Sequence, residues 1–240
     1  MRDCLNDLVQ HTVDLGCIDL IKIVGTDTST QIEGLAEDLS VVVKGEYKNP
    51  LADFIGTFGM PNLSKLKILL NLPEYKEDAK LTITKRATGE PDGINFANKI
   101  GDFRNNYRFM ASGIVSEKLK TNTFNTPKWH IEFEPTVASI MRLKMQMSAN
   151  AEQPNFQVKT DGTDLVFSFG DHSTHAGSFV FHSGITGQLK RAWSYPASAV
   201  SSILALVGDK TVRISDDGAA QITVDSGIAV YNYILPAQSK

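Results

Sequence analysis

The first helical signal in the chain is a run of apolar positions at three- and four-residue intervals. Leu5, Leu8, Val9, Thr12 and Val13 fall on one side of a helix that stops at Gly16. Branched residues then alternate with polar ones in CIDLIKIVG, TQIEGLA and LSVVVKGEY, broken by Gly, Thr, Ser and Asp, which predicts antiparallel strands. Pro50 suits a first helical turn, Leu51, Phe54, Ile55 and Phe58 make a buried face, and Gly59 and Pro61 end it, so a second helix is expected there. SKLKILLNL, KLTITKR and the stretch from Ile94 to Met110 read as further strands. From Ala111 to Lys128 the periodicity is lost, and ASGIVSEKLKTNTFNTPK reads as a linker.

Beyond the linker the order repeats. A strand at WHIEFE precedes a helix from Pro135 to about Ala149; strands follow at NFQVKT, DLVFSFG, GSFVFHS and LKRAWSY, then a helix from Pro196 to Val207. KTVRIS, AQITV and GIAVYNYIL close the chain as strands, with Asp161-Gly162 and Asp217-Gly218 placed where tight hairpin turns belong. Each half is a helix, strands, a helix and more strands, which predicts an α+β class with two similar domains in tandem: 1–112, a linker at 113–128, and 129–240. The last strand is apolar on both faces, Ile228 and Val230 on one and Ala229, Tyr231, Tyr233 and Leu235 on the other, so both must be covered. Sheet edges in such domains invite pairing with another copy of the chain.

Composition narrows the function classes. The 240 residues are 42% apolar, enough for real cores, and 24 basic against 27 acidic residues give a formal charge of -3. That balance excludes a uniformly cationic nucleic-acid binder and leaves room for a local basic patch. Two cysteines, Cys4 and Cys17, bracket the first helix and form no disulfide framework, which points to reduced thiols. With no apolar run of the ~20 residues a bilayer needs, and acids in MRDCLNDLVQ where a signal peptide is apolar, a cytoplasmic protein is expected, without membrane contact.

The closing run KTVRISDDGAAQITVDSGIAVYNYILPA resembles the end of a DNA polymerase sliding clamp of the proliferating cell nuclear antigen type. Chain length and the segments NPLADFIGTFGMPN and FQVKTDGTDLVFSFGD look more like the shorter clamps of T4-type bacteriophages. The resemblance implies two tandem clamp-like domains per subunit and a homotrimer closed head to tail, with antiparallel sheets outside and helices lining the inside of a ring around duplex DNA. It further implies a replicative DNA polymerase held for processivity in viral replication, an ATP-dependent clamp loader that opens the ring, no cofactor or metal, and no catalysis. Clamps of this family usually begin with a strand before the first helix; here the helix starts almost at Met1.

On that resemblance, cations on inner helices attract phosphate without reading bases. On the helix after Pro135, Val137, Ile140, Met141, Leu143 and Met147 form the apolar side and Ser139, Arg142 and Gln146 fall opposite, so Arg142 is the first candidate. Lys144 lies nearer the apolar arc and reaches water by snorkelling. Lys48, Lys65, Lys118, Lys120, Lys190, Arg191 and Lys210 flank helices or lie on the linker, where each is equally well an ordinary surface charge. The first helix carries Asp3, Asp7 and Asp14, which repel phosphate. Clamp partners insert apolar anchors beside the linker and tail, which points to Ile114, Val115, Leu119, Phe124, Ile234, Leu235, Pro236 and Ala237; the alternative is that these cap the domain core.

Two other classes remain open. A β-rich viral structural protein would explain the strands and edges without DNA. A metal-dependent hydrolase would use Asp171, His172, His175 and His182 in GDHSTHAGSFVFH, or His130, Glu132 and Glu134 along one strand face; a hairpin turn and a solvated strand account for both sets more simply. The chain has no GxxxxGK loop, GxSxG elbow or CxxC pair.

Overall fold

The computed structural model describes residues 1–119, 127–171, 173 and 175–238, and the chain divides into two compact units. The first takes in residues 1–123 together with 226–231, and the second takes in 124–225 and 232–240.

In the first unit α1 (Arg2–Gln10) is followed by β1 (Leu20–Gly25), β2 (Thr30–Leu35), β3 (Val42–Tyr47) and β4 (Gly56–Pro61). Then come α2 (Leu63–Asn71), β5 (Lys80–Lys85), β6 (Pro91–Ala97), β7 (Arg104–Arg108), β8 (Met110–Ala111) and α3 (Ser112–Lys118). One antiparallel sheet has the order β8-β4-β1-β2-β3 and a second has β5-β6-β7. The core between helices and sheets holds Leu5, Leu8, Ile21, Ile23, Ile32 and Val43, with Phe58 stacked on Phe109 at 4.4 Å and Phe54 set edge-on to Phe58.

Three elements here differ from the sequence expectation. The segment around Phe54 is a single 3-10 turn, Ala52–Phe54, followed by β4 and not by a helix. Its glycines explain this. Gly56 sits at φ 122°, outside any helix, and a Cβ on Gly59 would lie 2.7 Å from Val115, so the strand needs glycine where α3 presses on it. SKLKILLNL is helical, because Leu63, Leu66, Leu69 and Leu70 share one buried face at helical spacing. The first part of the expected linker is α3, with Val115 buried.

In the second unit β9 (Ile131–Phe133) precedes α4 (Val137–Ala149), and β10 (Asn155–Asp161), β11 (Asp164–Phe169), β12 (Gly177–Ser183) and β13 (Trp193–Pro196) follow. The chain then forms α5 (Ala197–Ala205), β14 (Asp209–Ser215), β15 (Ala219–Asp225) and β16 (Ala229–Pro236). The sheets run β12-β11-β10-β13 and β9-β14-β15-β16. Both Asp-Gly pairs make hairpin turns, with Gly162 at φ 58° and Gly218 at φ 83° in the left-handed region. A phenylalanine cluster fills this core, Phe167 stacking on Phe181 at 4.2 Å beside Phe156, Phe169 and Phe179.

The units thus repeat one plan: a helix, four strands in the same spatial order, a second helix and a three-stranded meander. β16 serves both. Its Tyr231 belongs with the first unit, where the hydroxyl donates to the buried Asp7 carboxylate at 2.7 Å and the ring stacks on His11 at 4.6 Å. The His11 Nδ1–H donates to the Asp7 carbonyl at 2.8 Å, so the buried polar groups of this cluster are bonded. Asn232, in the second unit, accepts from Gln221 and Thr223. One face of β16, Ala229, Tyr231, Tyr233 and Leu235, is buried throughout, while Val230 and Asn232 are half-exposed.

Candidate functional site

The helix faces come first, because phosphate attraction was expected there. α1 buries Leu5, Leu8 and Val9 and turns Asp3, Asn6 and Gln10 outward. Its only cation, Arg2, is held by the Tyr75 and Leu70 carbonyls. α2 exposes Ser64, Lys65, Ile68 and Asn71, and its Lys67 pairs with Asp14. Lys65 is therefore the cation this unit offers from its two long helices.

In the second unit Thr136 caps α4 by accepting from the Ser139 amide at 3.1 Å. The helix is turned differently from the expected arc. Ser139 and Leu143 are buried, whereas Val137, Met141 and Met145 are 76%, 53% and 63% exposed and line up at four-residue intervals. Lys144 stands exposed beside this stripe, not against the core. Arg142, also exposed, bends to β12: Nη1 donates to the Val180 carbonyl at 3.2 Å and the guanidinium lies 5.3 Å from the Phe179 ring centre. Its charge is thus partly committed to the unit's own sheet, whereas the neighbouring candidate Lys144 is exposed. α5 buries Ala197, Val200, Ile203 and Leu204 and carries no charge.

The remaining cationic candidates are scattered. Lys48 is exposed just past β3, and its amide donates to the Ile228 carbonyl. Lys118 ends α3, and Lys120 lies outside the described residues. Arg191 stacks on the Trp193 ring at 3.8 Å, and the neighbouring Lys190 amide donates to Asp216. Lys210 is only half-exposed on β14, with its ammonium donating to the Gly208 carbonyl, and burial pushes its pKa down.

The apolar anchor candidates divide sharply. Leu119 and Ile234 are buried and Leu235 has no exposure at all, so these are core residues and not an open surface. The reason is the strand period: Leu235 continues the buried face of Tyr231 and Tyr233. Val115 is core as well, Ile114 is 52% exposed, and Phe124 lies outside the described residues. Pro236 is exposed, and Ala237 and Gln238 run along the second unit, donating from their amides to the Gly218 and Ser194 carbonyls. There they wall a groove of about 550 Å³ with Gln157, Arg191, Trp193 and Ser194. Trp193 is fixed by its indole N–H to Asp216 and by Gly218 against its ring. Sequence reasoning missed this aromatic wall; the signal was Trp193 close to Arg191 on the strand LKRAWSY. The first unit has its own groove of about 400 Å³, between Leu20, Leu39, Pro61, Met110 and Lys118.

Members of both rival metal sets are otherwise engaged. His130 Nδ1 accepts the Asp216 amide and Glu132 pairs with Arg213 at 3.0 and 3.2 Å. Asp171 accepts from Ser173, His182 packs on Phe133, and His172 lies outside the described residues. Among the described residues no three His, Cys, Asp or Glu side chains gather as a metal site, and no helix is long and apolar enough to cross a membrane.

No family model and no curated protein sequence matches the chain. Solved structures do. The PCNA of A. fulgidus, bound to the C-terminal region of FEN-1, matches over 100% of this chain and 97% of its own at TM-score 0.72 and 8% identity. PCNA from Thermococcus kodakaraensis matches over 99% and 97%, at TM-score 0.66 and 11% identity. Sequence identity that low carries the architecture and not the side chains, and the chain has the PCNA-like sliding-clamp fold, two units of mostly antiparallel sheet with few helices.

Proposed function

We propose that this chain is a sliding clamp: three copies close head to tail around duplex DNA and hold a replicative polymerase on its template. The observation that carries this is the end-to-end likeness to PCNA in both directions, with almost nothing of either chain left over. The reading gives two clamp domains, 1–112 and 129–240, whose connection at 113–128 begins with α3. A clamp performs no chemistry. Retention is topological, so a few weak phosphate contacts serve better than many strong ones, and Lys65 and Lys144 are the cations proposed to supply them.

Ring closure is assigned to exposed edges and apolar helix residues. β8 and β12 end their sheets, and a contact between unlike edges closes into a ring when the rotation between copies fits. Val137, Met141 and Met145 on α4, with Ile68 on α2 of the next copy, are the apolar surfaces for that seam. The A. fulgidus protein binds the C-terminal region of FEN-1, and the groove of Trp193, Arg191, Ala237 and Gln238 is the proposed receiver of such tails here, polymerase and ATP-dependent loader among them. The phage-type segments and the chain length favour a place in viral replication within a host cytoplasm. Neither the viral structural protein nor the hydrolase has an observation in its favour.

Retention on DNA circles is the test. Protein loaded on nicked circular duplex stays bound through gel filtration and is released when one cut linearises the circle. Equal retention on circular and linear DNA would overturn the clamp reading.

A further inference from the structure

The repeated plan makes β5 of the first unit the counterpart of β14 in the second, since each opens the meander that follows the second helix. β14 carries β9 on its outer edge, with Val212 opposite Phe133, Arg213 opposite Glu132 and Ile214 opposite Ile131. Among the described residues, no strand pairs with the matching edge of β5. Burial records the difference. Val212 and Ile214 are buried, while Leu81 and Ile83, which share the core face with Phe96 and Ile94, are half-exposed.

The other face of β5 is chemically distinct. Lys80 and Thr82 line a groove of about 640 Å³ with Asn95, Ala97, Arg104 and Asn106 across β6 and β7. Lys99 stands at its rim, paired with Asp78, the one carboxylate in the lining. A strand laid along β5 therefore meets a partly open apolar floor on one side and cations with amides on the other.

We propose that the β5 edge accepts an extended peptide segment of a partner protein in which apolar and acidic residues alternate. Apolar side chains opposite Leu81 and Ile83 complete the cover that β9 gives β14. Acidic ones fall on the groove face beside Lys80, at the diagonal distance over which cross-strand charges act. The chain contains such a strand already: in β9 Ile131 and Phe133 are buried and Glu132 pairs with Arg213. A second copy's β5 is a poor occupant, because the lysines at either end, Lys80 and Lys85, would be set against lysines.

The probe is a peptide with the sequence of residues 129–135, added to the intact chain, with amide hydrogen exchange read segment by segment. At ten times its Kd the peptide slows exchange in 80–85 about tenfold and leaves 209–215 unchanged. Lys80→Glu, an exposed change that the fold tolerates, weakens binding about 2- to 5-fold, and a peptide carrying Glu132→Lys and Glu134→Lys prefers the Lys80→Glu protein. Unchanged exchange in 80–85 at about millimolar peptide, or equal binding of the two peptides, would overturn the proposal. So would protection of 80–85 that rises with protein concentration without peptide, since that would make a second copy the occupant. The assay contains no DNA, so its outcome is separate from that of the clamp reading.

Discussion

The two units share a strand order and differ in what they leave at the surface. α1 of the first turns out Asp3, Asn6 and Gln10, whereas α4 of the second turns out Val137, Met141, Met145 and Lys144. Among the described residues no strand pairs with the outer edge of β5 in the first unit, whereas β9 covers β14 in the second. The units keep one packed framework while their edges and helix faces differ, which is what the proposed ring requires if copies are to join in one direction.

The largest expected effect breaks that asymmetry. Met141→Glu with Met145→Glu puts two charges into the proposed seam while leaving Leu143 in the core, and sedimentation should show monomers with native circular dichroism. Unaltered oligomers would remove α4 from the seam. Next comes a pair of tyrosines, one per unit. Tyr231→Phe removes the donor to Asp7 Oδ2, leaving His11 Nδ1 at 3.3 Å from Oδ1, and should cost about 1–3 kcal/mol in urea unfolding. Tyr195→Phe should be neutral or stabilising by up to about 1 kcal/mol, because its hydroxyl is buried with no hydrogen-bond partner among the described residues. Equal costs would mean that the polar cluster around Asp7 does not matter.

Smaller effects separate the cations of α4. Lys144→Gln should lower the slope of log K against log salt for duplex binding by about 0.9 for each phosphate it no longer neutralises. Arg142→Gln should change it less, its guanidinium being shared with Val180 and Phe179. The smallest effect concerns Cys17, whose thiol is pushed up first by burial and then by Asp38. The folded protein keeps its proton to higher pH, so alkylation should reach half-maximal rate above the pH seen for a free cysteine, and Asp38→Asn should move that midpoint down slightly.

Much of the framework was readable from sequence because local signals agreed with the tertiary outcome. Asp-Gly turns, branched alternation and a helix period set α4, α5 and β14–β16 close to their observed bounds, whereas α1 ends at Gln10 and a separate 3-10 turn, Val13–Leu15, leads to Gly16. α2 and β4 were exchanged because Phe54 and Phe58 are four apart, like helix neighbours, while Lys65 and Lys67 alternate with Leu66 and Ile68, like a strand. The glycines at 56 and 59 carried the correcting signal, since a strand tolerates them only where another element presses close, as Val115 does. Site residues were harder. Leu235 reads as an anchor by residue type and place in the tail, yet exposure depends on which face the rest of the unit covers, and that is set by partners distant in sequence.

Sedimentation equilibrium over a wide concentration range tests the central claim, that unlike ends close in a ring, most directly. The account predicts one species of three chains whose mass holds steady as concentration rises. A monomer throughout, or a ladder of masses growing with concentration, would contradict it.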